Sequence, residues 1–262
     1  MRHAAHAEWT KLRTVRSTGW LLLALIAATV VVGALTTSAV DTAHCPTPAE
    51  CFEDTTKLSL TGVRVGQIAV VLLAVLAIGN EYGTGMVRTT LTAYPRRAEV
   101  LGAKAAVLVA LVAVAGTVGV LGSLYAGRVI LPGNGFTAAN GYPELSLTDG
   151  PTLRAAVGTV LYLVLIALLA FGVGVAVRDT AGSVTTLLTL LYIVPVITPL
   201  VGDTDWSERL EKLAPMSAGL AIQATSRLDS LPIGPWAGLG VLACYAVVAL
   251  LLGGARFVGR DV

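Results

Sequence analysis

The sequence predicts an all-α integral membrane protein with six transmembrane helices, and three observations lead there. Of its 262 residues, 55% are hydrophobic and only 13% are charged, with a mean hydropathy of +0.78. A soluble domain of this size carries about 25% charged residues. The apolar residues are gathered into six runs of about 18 to 27 residues, and about 20 helical residues cross a hydrocarbon core of about 30 Å. The 18 Lys and Arg residues also divide unevenly between alternate connections, as they do around membrane spans. A single transmembrane domain therefore covers 1–262.

Residues 1–18 read as an amphipathic entry helix. Ala5, Trp9, Leu12 and Val15 share one face, and Lys11, Arg13 and Arg16 fall elsewhere, as suits a helix lying in the headgroup layer. An ordinary basic flank is the other reading. His3 and His6 lack further ligands nearby and read as solvated. The apolar run that follows exceeds the 7–15 residues of a signal-peptide core, so the first span is expected to be retained. The spans fall at about Gly19–Val40, Gly62–Gly79, Val100–Ala126, Leu153–Val177, Val184–Val201 and Gly234–Phe257. Pro195 and Pro199 kink or shorten the fifth, for which a half-span is the alternative. Gly62 with Gly66, and Gly116 with Gly119 and Gly122, have the spacing of close helix packing in lipid. Between the last two spans, Ser207–Leu228 has a partial apolar face that Pro215 divides into two short helices.

Orientation follows from the basic residues. Eleven of the 18, including Arg13, Arg88, Arg97, Lys104, Arg178 and Arg256, lie on the side of the two termini, against seven on the other. Both termini and the 80–98 connection are therefore expected to be cytoplasmic. The first outer loop, CPTPAEC, then faces an oxidising space, where Cys45 and Cys51 are close enough to form a disulfide. A metal site there is not expected, because only His44 is near. Cys244 reads as a small packing residue.

No G-x-x-x-x-G-K-[ST] motif occurs, so nucleotide hydrolysis is not expected of this chain. There is no H-E-x-x-H motif and no Ser/His/Asp set, and a catalytic cluster is not expected. The spans hold almost no charge, which argues against a proton relay. The net charge of +2 implies no nucleic-acid partner. Arg64 is the charged exception, with Gln67 one turn deeper on the same face. The two either line a path, or Arg64 snorkels to the headgroups. In the fifth span Thr186 and Thr189, with Thr185, Tyr192 and Thr198, form a mild polar stripe. It either faces a pathway or serves backbone carbonyls.

The stretch Gly79–Lys104 is a polar, basic island between two apolar runs. Glu81 and Tyr82 begin it, Gly83 and Gly85 loosen it, Met86–Thr92 spans about two helical turns, and Pro95 precedes Arg96 and Arg97. Such an island is either a short helix for docking a soluble protein or a plain hairpin loop.

The arrangement E-Y-G-T-G-M-V-R-T-T-L-T-A-Y-P-R-R, followed by Lys104, resembles the permease subunits of type-2 ABC exporters. The opening E-W-T-K-L-R-T-V-R-S-T-G-W and the ending G-A-R-F-V-G-R-D-V are similar to their actinobacterial members. The resemblance implies a multi-pass protein of the cytoplasmic membrane that pairs with a second, identical or homologous permease. Two copies of a separate ATP-binding subunit would hold the ATP and Mg, leaving no cofactor in this chain. It also implies a coupling helix carried by Glu81, Tyr82, Gly83, Thr84, Arg88 and Thr89, flanked by Arg96 and Arg97. The second and fifth spans would face the pathway, which favours that reading of Arg64 and Gln67. A secondary carrier would show broken helices in matching halves, of which only the fifth span is an example. A non-transporting scaffold or sensor is the other alternative.

Overall fold

The computed structural model describes residues 9–10, 15–42, 53–84, 97–198 and 204–259, and among them it is helical with no strand. Helix α1 is Arg16–Ala39. The short α2, Thr55–Ser59, passes through a 3-10 turn into α3, Val63–Thr84. Helix α4 is Arg97–Ile130, α5 is Gly150–Val177 and α6 is Thr180–Ile197. Two short helices, α7 (Thr204–Leu213) and α8 (Pro215–Leu220), precede α9, Pro235–Gly259. Among the described residues, six helical stretches are long and apolar enough to cross a membrane: Arg16–Ala39, Thr55–Gly79, Ala98–Asn134, Gly150–Val177, Thr180–Ile197 and Pro235–Phe257. The chain is a multi-pass helical membrane protein.

The helices overrun the apolar runs where a local signal extends them. The second span starts at Thr55 rather than Gly62 because Asp54 caps it, accepting the Lys57 N–H at 3.0 Å, which satisfies an orphan donor. Asp149 caps α5 and Asp179 caps α6 in the same way. Pro195 is tolerated in the last turn of α6, which ends at Ile197; Pro199 and Val201 lie outside the described residues. The first span begins at Arg16, so the end of the expected entry helix belongs to α1. Trp9 and Thr10 are helical, and the rest of that entry lies outside the described residues.

Helix α5 is the centre of the bundle. It packs most extensively on α9 and α3, and also touches α4, α6 and α8. Tyr162, Leu163, Ile166, Ala167, Ala170 and Phe171 are fully buried against Val70, Val71 and Ala74 of α3. Apolar burial alone does not drive helices together in lipid, so close packing of small residues does. Any side chain at Gly62 would strike the backbone of Thr29 on α1. One at Gly253 would approach the Gly172 carbonyl of α5 to 2.6 Å. Ser123 of α4 completes the first crossing, its hydroxyl reaching the carbonyls of Ser59 at 2.6 Å and Thr29 at 3.2 Å.

The two ends of the bundle differ. At one end, here the cap end, residues 131–149 fold into a compact cover with Phe136 and Tyr142 edge to face at 4.9 Å. Asn134 pins this cover to the end of α1, donating to the Thr37 carbonyl at 2.8 Å. At the tail end, α5 and α6 are joined by a two-residue turn. Arg178 there takes a left-handed conformation at φ 62°, and its side chain donates to the Arg256 carbonyl at 2.9 Å. Arg256 in turn donates to the Ala176 carbonyl at 3.1 Å, so α9 is tied to that turn.

Candidate functional site: a charged cleft over a buried polar cluster

Gln67 of α3 is completely buried in the middle of the bundle. An amide in hydrocarbon must find partners for one acceptor and two donors. Here Tyr162 of α5 donates its hydroxyl to Oε1. Nε2 donates to the Tyr192 hydroxyl of α6 at 2.9 Å and to Sδ of Met216 in α8 at 3.1 Å. Tyr192 in turn donates its hydroxyl to the Arg64 carbonyl. Four helices therefore meet on one side chain, and its amide is fully satisfied. The cluster consists of an amide, two phenols and a thioether, so it holds the helices together without carrying charge.

Above this cluster, toward the cap end, a cleft of about 460 Å³ opens between α3, α6, α7 and α8. Met216 forms part of its floor, Pro195 and Thr198 one wall, and the Leu231–Ile233 turn another. Lys57 and Arg64 stand together on its rim, seven residues apart and so on one helical face. An adjoining hollow of about 230 Å³ shares both cations and adds the carboxylates of Glu53 and Asp54, with Thr61 and Gln223. Among the described residues neither cation makes a hydrogen bond or ion pair through its charged group. Glu211 of α7 supplies one negative charge to the same cleft. Two cations, Lys57 and Arg64, and three carboxylates, Glu53, Asp54 and Glu211, therefore line the two hollows beside an apolar wall, so the opening is charged without a net basic character.

The cleft is braced by Asp54, at the cap-end start of the second span. Its carboxylate accepts the backbone N–H groups of Thr225 and Ser226, at 2.5 and 3.1 Å, and the Thr225 hydroxyl at 2.8 Å. Arg154 of α5 donates to the neighbouring Ala224 carbonyl at 2.5 Å. The segment after α8 is thus fastened to the start of the second span and to α5.

Of the residues singled out in sequence, Arg64 and Gln67 do belong together, but in different settings. Arg64 is exposed at the rim, while Gln67 is sealed beneath it. The polar stripe of α6 splits: Tyr192 points inward to Gln67, and Thr186 and Thr189 are exposed on the outside of the bundle. Each step of three residues turns a helix back by about 60°, so residues 186, 189 and 192 cannot share one narrow face. Sequence reasoning missed Tyr162, Met216 and Lys57. The signal for Tyr162 was a polar ring in the middle of a 28-residue apolar helix. Glu81, Tyr82, Gly83 and Thr84 form the last turn of α3, so the helix continues through Gly83 instead of loosening there. Arg97 opens α4. Arg88, Thr89, Arg96, Cys45 and Cys51 lie outside the described residues.

Fold and cleft together define a multi-pass helical membrane protein with a charged opening at one end. No known family model and no curated protein matches the chain.

Proposed function

We propose that this chain is the membrane-spanning permease subunit of an ATP-driven ABC exporter in the cytoplasmic membrane. It forms the translocation path and couples to a separate ATP-binding subunit, which holds the ATP and Mg. The observation that carries this reading is the basic island at the tail end. Helix α3 runs to Thr84, past the apolar stretch that ends at Gly79, and α4 begins at Arg97. Two helix ends therefore flank the polar sequence 85–96, which is the part of the chain a soluble motor would push on. The chain has no P-loop of its own, so such a motor is a partner protein. The cleft with Lys57 and Arg64, at the opposite end, is the outer vestibule in this reading, and the Gln67 cluster closes the route beneath it. Helices α1 and α6 are the least buried spans, and a second permease covers them. Closure of the ATP-binding subunits shifts the bundle between states that differ in contacts at both ends, as energetic coupling requires.

The test is isolation of the chain from its native membranes in mild detergent, followed by mass spectrometry of what accompanies it. A P-loop ATPase is expected in equal amount. Recovery of this chain alone, under conditions that keep a known ABC complex whole, would overturn the proposal.

A further inference from the structure

We infer a second binding site, unrelated to the cleft, on the lipid-facing side of α4 and α5: a groove for a single membrane phospholipid, with its phosphate against Arg128. The groove begins at the cap end as a hollow of about 450 Å³ bordered by Tyr125, Arg128, Ser146 and Thr148. It continues toward the middle of the bilayer as a trench of about 280 Å³ between Thr117 and Leu121 of α4 and Val157 and Leu161 of α5. The two parts share Leu121 and Leu147, so they form one channel.

Three features fit a phospholipid. The first is polarity. Arg128 is the one charged residue bordering either part, and among the described residues its guanidinium makes no hydrogen bond or ion pair. The Ser146 and Thr148 hydroxyls hydrogen-bond each other at 2.7 Å at the same rim, which leaves one of the two protons to donate outward, and Tyr125 adds a further hydroxyl on a residue that is 71% exposed. A guanidinium beside several hydroxyls is a donor set for a phosphate diester. The second feature is the apolar floor. Thr117 turns its hydroxyl back to the Ala113 carbonyl at 2.7 Å and presents its methyl group. Leu121, Val157 and Leu161 are all more than 40% exposed, as acyl-chain contacts are in a membrane. The third is length. From Thr117 to Arg128 a helix rises about 16 Å, close to the depth of one leaflet of a hydrocarbon core of about 30 Å. A lipid whose headgroup sits at Arg128 therefore ends its chains at the floor of the trench.

This site does not depend on the exporter reading. It is tested on the purified full chain, stripped of lipid by detergent exchange, with native mass spectrometry as the readout. The probes are a dioleoyl phosphatidylglycerol and a dioleoylglycerol, which share their acyl chains and differ in the phosphate headgroup. The phospholipid is expected to form a retained one-to-one adduct, about tenfold tighter than dioleoylglycerol. Arg128→Gln should bring the phospholipid down to the diacylglycerol level. Val157→Trp, at an exposed position, should block the trench and weaken both adducts while the thermal melting of the protein stays unchanged. Equal retention of the two probes by the wild type would overturn the phosphate site. Wild-type adducts in the Val157→Trp protein would overturn the groove itself.

Discussion

At the scale of single residues, Gln67 decides more than any charged group described. Its amide meets Tyr162, Tyr192 and Met216 at once, so removing it leaves a phenol hydroxyl of a fully buried tyrosine without a partner. We expect Gln67→Leu to destabilise the protein in detergent by about 1–2 kcal/mol, the cost of an orphaned buried donor. Adding Tyr162→Phe to Gln67→Leu should restore part of that loss, because the orphan goes with it. Chemical-denaturation midpoints of the two variants check this, and a further loss in the double variant would refute the pairing. Gly62 shows the opposite kind of dependence, on having no side chain. Gly62→Val should cost about 1–3 kcal/mol through a clash with the Thr29 backbone. Gly19→Val, where a Cβ meets nothing within 4 Å, should be tolerated in the same assay.

At the scale of elements, the segment after α8 owes its position to a carboxylate from another span. Asp54 caps α2 and also holds Thr225 and Ser226. Asp54→Ala removes both roles, and we expect a loss of about 2 kcal/mol from the cap and the half-buried acceptor together. Hydrogen exchange at the Thr225 and Ser226 amides should rise sharply, while exchange in the middle of α5 stays slow. Unchanged exchange at those amides would show that the loop holds itself. The split of Ser207–Leu228 into α7 and α8 has a local cause. Pro215 lacks an N–H and sits in the first turn of α8, where that donor is not missed. It cannot continue α7 past Leu213.

At the scale of the whole molecule, two predictions follow from the arrangement of the six spans. Helix α6 is the least buried span and turns Thr186 and Thr189 outward. If a second permease covers this face, a cysteine at Thr189 should cross-link two copies in the membrane under mild oxidation. A cysteine at Val157, on the α4–α5 side, should not. Equal cross-linking at both positions would remove α6 from the interface. For coupling, Arg88→Glu should leave membrane insertion intact and uncouple ATP hydrolysis by the partner from transport. Unchanged transport in that variant would remove the coupling role from the 80–98 connection.

Much of this molecule is legible in its sequence because lipid imposes so simple a rule. Every backbone group in the bilayer must be satisfied within its own segment, so an apolar run of sufficient length is a helix, and counting such runs yields six spans without knowing how they pack. The break at Pro215 and the close glycines could be read for the same reason, since each is a local departure from a uniform pattern. What only the tertiary structure decided is which polar groups meet. Gln67 finds Tyr162 across 95 positions and Met216 across 149, and Lys57 joins Arg64 only because α2 runs on into α3. Sequence spacing orders residues around one helix, but the rotation of each helix against its neighbours is set by packing. That rotation turned Tyr192 toward the core and left Thr186 and Thr189 outside.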